Sequence, residues 1–325
     1  MLSFTECQQI AEEYIIDLLK DNKEPKELYD PIRYILSLGG KRIRPVSTLM
    51  ACNLFSDDVK EAIAPAVSLE VFHNFTLLHD DIMDNAPVRR GKPTVHAKWN
   101  NNVAILSGDA MQILAYQLMC KSNSQKLGAL LELFNTTAIE VCEGQQYDMN
   151  FASRNNVTIQ EYTRMIELKT SVLLAACMKT GAICGGASAA DANHLYEFGR
   201  NLGLAFQVQD DYLDAYADEE TFGKKTGGDI AENKKTFLLI KAIELAQTEE
   251  LSILKKAFDG HIPDVNEKIR IVKSVYDKLG IPQITAETIK AYSDKAFEYL
   301  ESVRVSFDRK EPLHQLALSL MNRQK

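Results

Sequence analysis

Glycine and proline are scarce in this 325-residue chain, at 16 and 9, and no proline falls between Pro93 and Pro263. Proline interrupts helices, so a stretch this long without it excludes a turn-rich β fold and favours long helices. The six cysteines, at 7, 52, 120, 142, 177 and 184, contain no CxxC pair. They exclude a small disulfide scaffold and read as buried or half-buried free thiols of a reducing compartment. No basic stretch followed by an apolar run opens the chain, so no secretory leader is expected. The most apolar run, residues 171–190, is broken by Lys179 and by Gly185-Gly186. That is too weak for a membrane span. Positive charge is also in deficit, with 37 Lys and Arg against 45 Asp and Glu and a net charge of −8. Such a balance argues against a nucleic-acid partner or a stable membrane anchor. A cytoplasmic protein is expected.

Hydrophobic residues make up 46% and charged residues 25%, enough to bury a sizeable core. Ile10, Tyr14, Ile15, Leu18 and Leu19 form an apolar stripe at helical spacing. A second, Ile32, Ile35, Leu36 and Leu38, is closed by Gly39-Gly40, a natural helix stop. Residues 59–81 are apolar on most faces, as for a helix buried inside a bundle. Further helical blocks are expected near 103–120, 125–150, 159–182, 188–217, 233–257, 266–279, 283–302 and 312–322. Strand-like alternation is absent. The expected fold is all-α, with residues 1–325 forming a single domain, since no linker or repeat interrupts them.

An acidic motif occurs twice. Asp80, Asp81 and Asp84 fall in Asp-Asp-Ile-Met-Asp, and Asp210, Asp211 and Asp214 in Asp-Asp-Tyr-Leu-Asp. At this spacing the first and last carboxylates stack on one helix face. One such run is commonly a solvated helix end, but here each ends a largely apolar helix. Hard cations relieve repulsion between stacked carboxylates, and Mg²⁺ is typically held by one or two of them plus phosphate oxygens. A diphosphate ligand follows. Basic residues accompany both motifs: Lys41, Arg42 and Arg44 after Gly39-Gly40, Arg89, Arg90 and Lys92 after the first motif, Lys224 and Lys234 after the second. In an acidic chain these read as specific anion sites.

These segments carry a resemblance. GGKRIRP (39–45), HNFTLLHDDIMDNAPVRRGKPTVH (73–96), SGDA (107–110), GQQYDM (144–149), ELKTSVLL (167–174), FQVQDDYLD (206–214) and GKKTGGDIAENKKT (223–236) are collinear. Together they resemble the trans-type isoprenyl diphosphate synthases of the polyprenyl synthetase family. The resemblance implies one large helical bundle around a central cavity and a homodimer. It also implies a prenyltransferase that joins isopentenyl diphosphate to an allylic diphosphate, with Mg²⁺ as cofactor, three per active site. Lys41, Arg44, His73 and Arg90 would hold isopentenyl diphosphate. Asp80, Asp84, Asp210 and Asp214 would ligate Mg²⁺, with Asp81 close by. Arg89, Lys169, Thr170, Gln207, Lys224 and Lys234 would contact the allylic diphosphate. Asn233 departs from the glycine that many relatives carry there. The tail Arg323-Gln324-Lys325 either closes the site or is solvated.

Chemistry in that site would ionise the allylic C–O bond, with apolar walls keeping water from the cation. The resemblance also implies that Phe75 and Thr76, five and four residues before Asp80, set the floor of the product channel. In that family a bulky aromatic there stops elongation, so one bulky and one small residue imply products of fifteen to twenty carbons, with twenty favoured. Two alternatives share some of these features. A class I terpene cyclase has a similar bundle, but no use for a second diphosphate pocket. A carboxylate-bridged di-iron bundle would use Glu70-x-x-His73 and Glu311-x-x-His314, but leaves both aspartate motifs unexplained.

Overall fold

A computed structural model describes residues 1–217 and 226–321. It is all-α apart from one two-residue β ladder. The chain forms two compact units: Met1–Asn135, Ala176–Tyr196 and Val303–Leu313 in the first, and Thr136–Ala175, Glu197–Ser302 and His314–Lys325 in the second.

In the first unit, α1 (Phe4–Leu18) starts at a capping box in which Ser3 and Glu6 satisfy each other's backbone N–H groups. Helix α2 (Lys26–Ser37) ends just before Gly39, whose φ of 72° is the left-handed stop expected there. After α3 (Ile43–Asn53) comes α4 (Lys60–Met83), which buries residues on every face, from Ala62 through Leu69 and Phe72 to Leu78. No polar stripe remains on most of α4 because its neighbours α1, α3 and α6 (Asn101–Met119) surround it. The Ser68 hydroxyl donates to the Ala115 carbonyl at 2.6 Å, tying α4 to α6.

The loop after α4 holds the ladder that the sequence did not announce. Strands β1 (Val88–Arg89) and β2 (Lys92–Pro93) pair antiparallel. Arg90 and Gly91 between them have φ of 52° and 73°. Two successive left-handed residues make the hairpin turn whose twist suits paired strands. Helix α5 (Val95–Lys98) follows.

Helices α7 (Ser124–Ala152), α9 (Val172–Gly185) and α10 (Ala189–Tyr216) each contribute residues to both units. Between α8 (Ile159–Ile166) and α9 lies a π turn, Glu167–Ser171, where a continuous α-helix was expected. In the second unit, the expected block 233–257 is also two helices. Thr236 caps α12 (Phe237–Leu245), and Ala246 and Gln247 adopt extended backbone before α13 (Thr248–Phe258). A short α11 (Gly228–Ala231) precedes them, and α14 (Val265–Lys278) and α15 (Ile281–Ser302) follow. Helix α16 starts at Phe307 and runs to Met321, so Pro312 lies inside it rather than at its start. Tyr162, Leu204, Phe237, Val272 and Tyr276 are among the core of this unit. The segment Ile159–Gly185 is long and apolar enough to cross a membrane, and 67% of its most apolar window is buried within the fold.

Candidate active site

In the first unit the turn between α2 and α3 presents Lys41 to solvent and places Arg44 in the first turn of α3. Arg42, between them, faces inward and adopts φ of 50°. Its guanidinium donates to Glu12 at 2.7 Å, to Glu70 at 2.8 Å and to the Leu36 carbonyl at 2.6 Å. Three acceptors on α1, α2 and α4 hold the turn through this one side chain. The sequence marked Arg42 only as one of three cations; its partners lie too far along the chain to be read from spacing.

Arg90 reaches the same turn from the hairpin, donating to the Gly39 carbonyl. His73 on α4 stands in the field of Arg44 and Arg90, and burial with those charges holds its imidazole well below the ordinary value. Burial also lowers Arg44, and Arg44 Nε has no hydrogen-bond partner among the described residues. Arg44, His73 and Arg90 are thus gathered beside the turn that carries Lys41. The arrangement has an excess of positive charge suited to an anion.

The first acidic motif ends α4. Asp80 is half-buried, and Asp84, the C-terminal cap, is exposed. Asp81 is buried and accepts from Arg89 Nε at 2.9 Å, with Arg89 Nη2 at 2.7 Å. This bidentate pair couples the helix end to the hairpin.

The second unit repeats the arrangement with different partners. Asp211 is buried and accepts from the Tyr162 hydroxyl at 2.6 Å and the Phe237 amide at 2.9 Å. Burial pushes its carboxyl up to about 7. Asp214 Oδ2 accepts from the Asp229 amide at 2.9 Å. Asp229, raised by burial, pairs with Lys234 at 3.2 Å, and Lys234 also meets Glu232 at 3.1 Å. Lys169 on the π turn donates to Asp148 at 2.5 Å, and the neighbouring Thr170 hydroxyl donates to Gln207 Oε1 at 3.3 Å. Asp148 and Asp229 were missed as site residues, although both stand inside segments that carried the resemblance. Lys224 and the tail 323–325 lie outside the described residues.

Asn233 has φ of 61° and its side-chain oxygen accepts from Lys268 Nζ at 2.6 Å. Asparagine is among the few residues with a side chain that tolerate the left-handed region, so it can replace glycine here.

The outer carboxylates of both motifs are hard oxygen donors, while each middle aspartate is committed to the fold. Among the described residues no three potential ligands are already gathered around one point. Within each motif, oxygen donors of this kind suit Mg²⁺, which takes few carboxylates and completes its octahedron with water and phosphate oxygens. Glu70, a ligand in the di-iron alternative, is instead held by Arg42, and Asn74 Nδ2 also donates to it at 3.1 Å.

The polyprenyl synthetase family model matches residues 25–278. A geranylgeranyl diphosphate synthase of Methanosarcina mazei is 44% identical over 231 residues, covering 70% of this chain and 71% of the relative. A short chain isoprenyl diphosphate synthase of Methanothermobacter thermautotrophicus is 35% identical over 321 residues, covering 97% and 96%. The crystal structure of a geranylgeranyl pyrophosphate synthetase from Pyrococcus horikoshii matches at a TM-score of 0.92 and 35% identity, over 98% of both chains. With two intact aspartate motifs and two sets of cations, the chain belongs to the polyprenyl synthetase family.

Proposed function

We propose that this chain is a trans-prenyltransferase that extends an allylic diphosphate with isopentenyl diphosphate, head to tail, to products of fifteen to twenty carbons. The observation that carries this reading is the presence of two groupings of basic and polar side chains: Arg44, His73 and Arg90 around the Lys41 turn, and Lys169, Thr170 and Gln207 on the π turn and α10. A terpene cyclase binds one diphosphate and would leave the first set without a role.

Lys41, Arg44 and Arg90 hold the isopentenyl diphosphate headgroup by charge. Neutral His73 donates a single N–H without adding to the repulsion among the arginines. Lys169 gives up Asp148, and Lys234 its two carboxylates, to meet the allylic diphosphate. Arg89, held by Asp81, is a further cation assigned to that group by family resemblance. Asp80, Asp84, Asp210 and Asp214 would hold Mg²⁺, three ions by family resemblance. When bound, Mg²⁺ neutralises the charge that grows on the departing diphosphate. The allylic C–O bond breaks, the isopentenyl double bond attacks the allylic carbon, and loss of a proton restores a double bond. Apolar residues of α4, Phe72 and Phe75 among them, keep water from the cation.

The working form is a homodimer in the cytoplasm. Leu106 and Ile113, one face of α6, are 60% and 61% exposed, an apolar stripe that a second copy would cover. The thiols Cys7, Cys177 and Cys184, each raised by burial to about 12, are protected from ready oxidation, whereas Cys120 and Cys142 are exposed, against the expectation that all six are buried or half-buried. The decisive experiment supplies labelled isopentenyl diphosphate with each allylic primer and resolves product lengths. Incorporated label in fifteen- to twenty-carbon diphosphates supports the reading. Diphosphate release from the primer without incorporation points to a cyclase.

A further inference from the structure

The π turn Glu167–Ser171 closes with the Val172 amide donating to the Glu167 carbonyl, five residues back. One extra residue in a turn rotates everything before it by about 100° relative to a continuous α-helix. Lys169 and Thr170 lie inside this widened turn, so its shape decides where both side chains point.

Two glycines from neighbouring helices face the turn. On α7, a Cβ at Gly144 would lie 2.6 Å from Lys169 Cα and 2.7 Å from the Leu168 carbonyl carbon, besides meeting the Lys169 amide nitrogen. On α10, a Cβ at Gly203 would lie 2.7 Å from Ser171 Cα and 2.9 Å from Ser171 Oγ. All these are closer than real Cβ atoms approach, and most are backbone atoms that cannot rotate aside. Asp148, which holds Lys169, is four residues after Gly144 on the same α7 face. One helix face therefore admits the widened backbone and supplies the resting partner of its lysine.

We propose that Gly144 and Gly203 are positioning residues for the allylic diphosphate. By omitting a side chain on either side of the π turn, they let it keep the width that aims Lys169 and Thr170. This rests on the assignment of those two residues to the allylic diphosphate. An alanine at either position must push the turn away or force it towards regular α-helix, and both movements displace the Lys169 ammonium.

The test uses full-length Gly144→Ala and Gly203→Ala, with circular dichroism melts to establish folding. Gly203→Ala is the milder variant, because two of its three close contacts are side-chain atoms of Ser171. KM is measured for the allylic diphosphate and for isopentenyl diphosphate, and binding of inorganic diphosphate with Mg²⁺ is measured by calorimetry. A displaced anchor predicts an allylic KM raised about tenfold, weaker diphosphate binding and an isopentenyl KM changed less than about twofold. A merely structural role would move stability without this split. Unchanged allylic KM in a folded variant, or parallel rises in both KM values, overturns the proposal. Lys169→Ala separates the levels. If it raises the allylic KM while both glycine variants do not, the glycine role alone falls. If it leaves the allylic KM unchanged, the diphosphate assignment falls and takes the proposal with it.

Discussion

Arg42→Met tests how the Lys41–Arg44 turn is held. The substitution keeps much of the side-chain volume but removes the guanidinium that bonds Glu12, Glu70 and the Leu36 carbonyl. Glu12 is 33% exposed and can regain water, whereas Glu70 is only 4% exposed. Breaking a buried ion pair costs about 3–5 kcal/mol, chiefly because the orphaned charge stays buried. The Asn74 amide still donates to Glu70, so the low end, about 3 kcal/mol, is expected. Unfolding entropy of about 2.1 cal/mol/K per residue over 325 residues converts this into a melting midpoint lower by roughly 4–5 °C. Adding Glu70→Gln removes the orphaned charge and should return about half of the loss. Because the turn also loosens, KM for isopentenyl diphosphate should rise more than KM for the allylic substrate. Thermal melts and steady-state kinetics on both variants read these out. A drop below about 1 °C with an unchanged isopentenyl KM would refute the reasoning.

Asp80→Ala and Asp210→Ala should each abolish most turnover with helical content intact, if the proposed metal role is theirs; near-normal turnover at saturating Mg²⁺ would remove the metal assignment. Phe75 packs between Phe72 and His79, with ring centroids at 5.6 and 4.8 Å. Phe75→Ala should lengthen the products and Thr76→Phe shorten them; unchanged lengths by mass spectrometry in both active variants would put the channel floor elsewhere. His73 titrates well below the ordinary histidine value when folded but near 6.5 when unfolded. The unfolded state therefore binds the extra proton first, so stability is full above about pH 6.5 and declines as pH falls. His73→Gln should flatten that decline, which urea midpoints at pH 5.5 and 7.5 would measure.

The helices were legible because their evidence is local. The stripe at Ile10–Leu19 and the Gly39-Gly40 stop placed α1 and α2, and the unpatterned apolar run placed α4 at the centre of its unit. Breaks were less legible where their cause lies in another helix. Nothing between Ile159 and Gly185 marks the π turn, because the room for it comes from Gly144 and Gly203 on α7 and α10. The 88–93 hairpin was hidden for a different reason. Arg-Gly at its turn is not a common left-handed pair, and Arg90 is held in that conformation with its guanidinium on the Gly39 carbonyl. Pro312 misled in the opposite direction, since α16 begins five residues earlier and carries the proline inside its second turn.

The two aspartate motifs show where spacing stops being informative. Both have the same five-residue pattern, and helix geometry stacks the outer carboxylates in each while turning the middle one aside by about 100°. Where that middle carboxylate goes depends on what the fold places there. For Asp81 the partner is Arg89, eight residues on, and the pair binds the helix end to the hairpin that delivers Arg90. For Asp211 the partners are Tyr162 and the Phe237 amide, 49 and 26 residues away. Asp211 therefore joins α8, α10 and the start of α12, the elements that flank Lys169 and Lys234. Each motif thus points its carboxylates in two directions about 100° apart. The outer ones form the face proposed to hold metal, and the middle one fastens the segment that carries the basic residues.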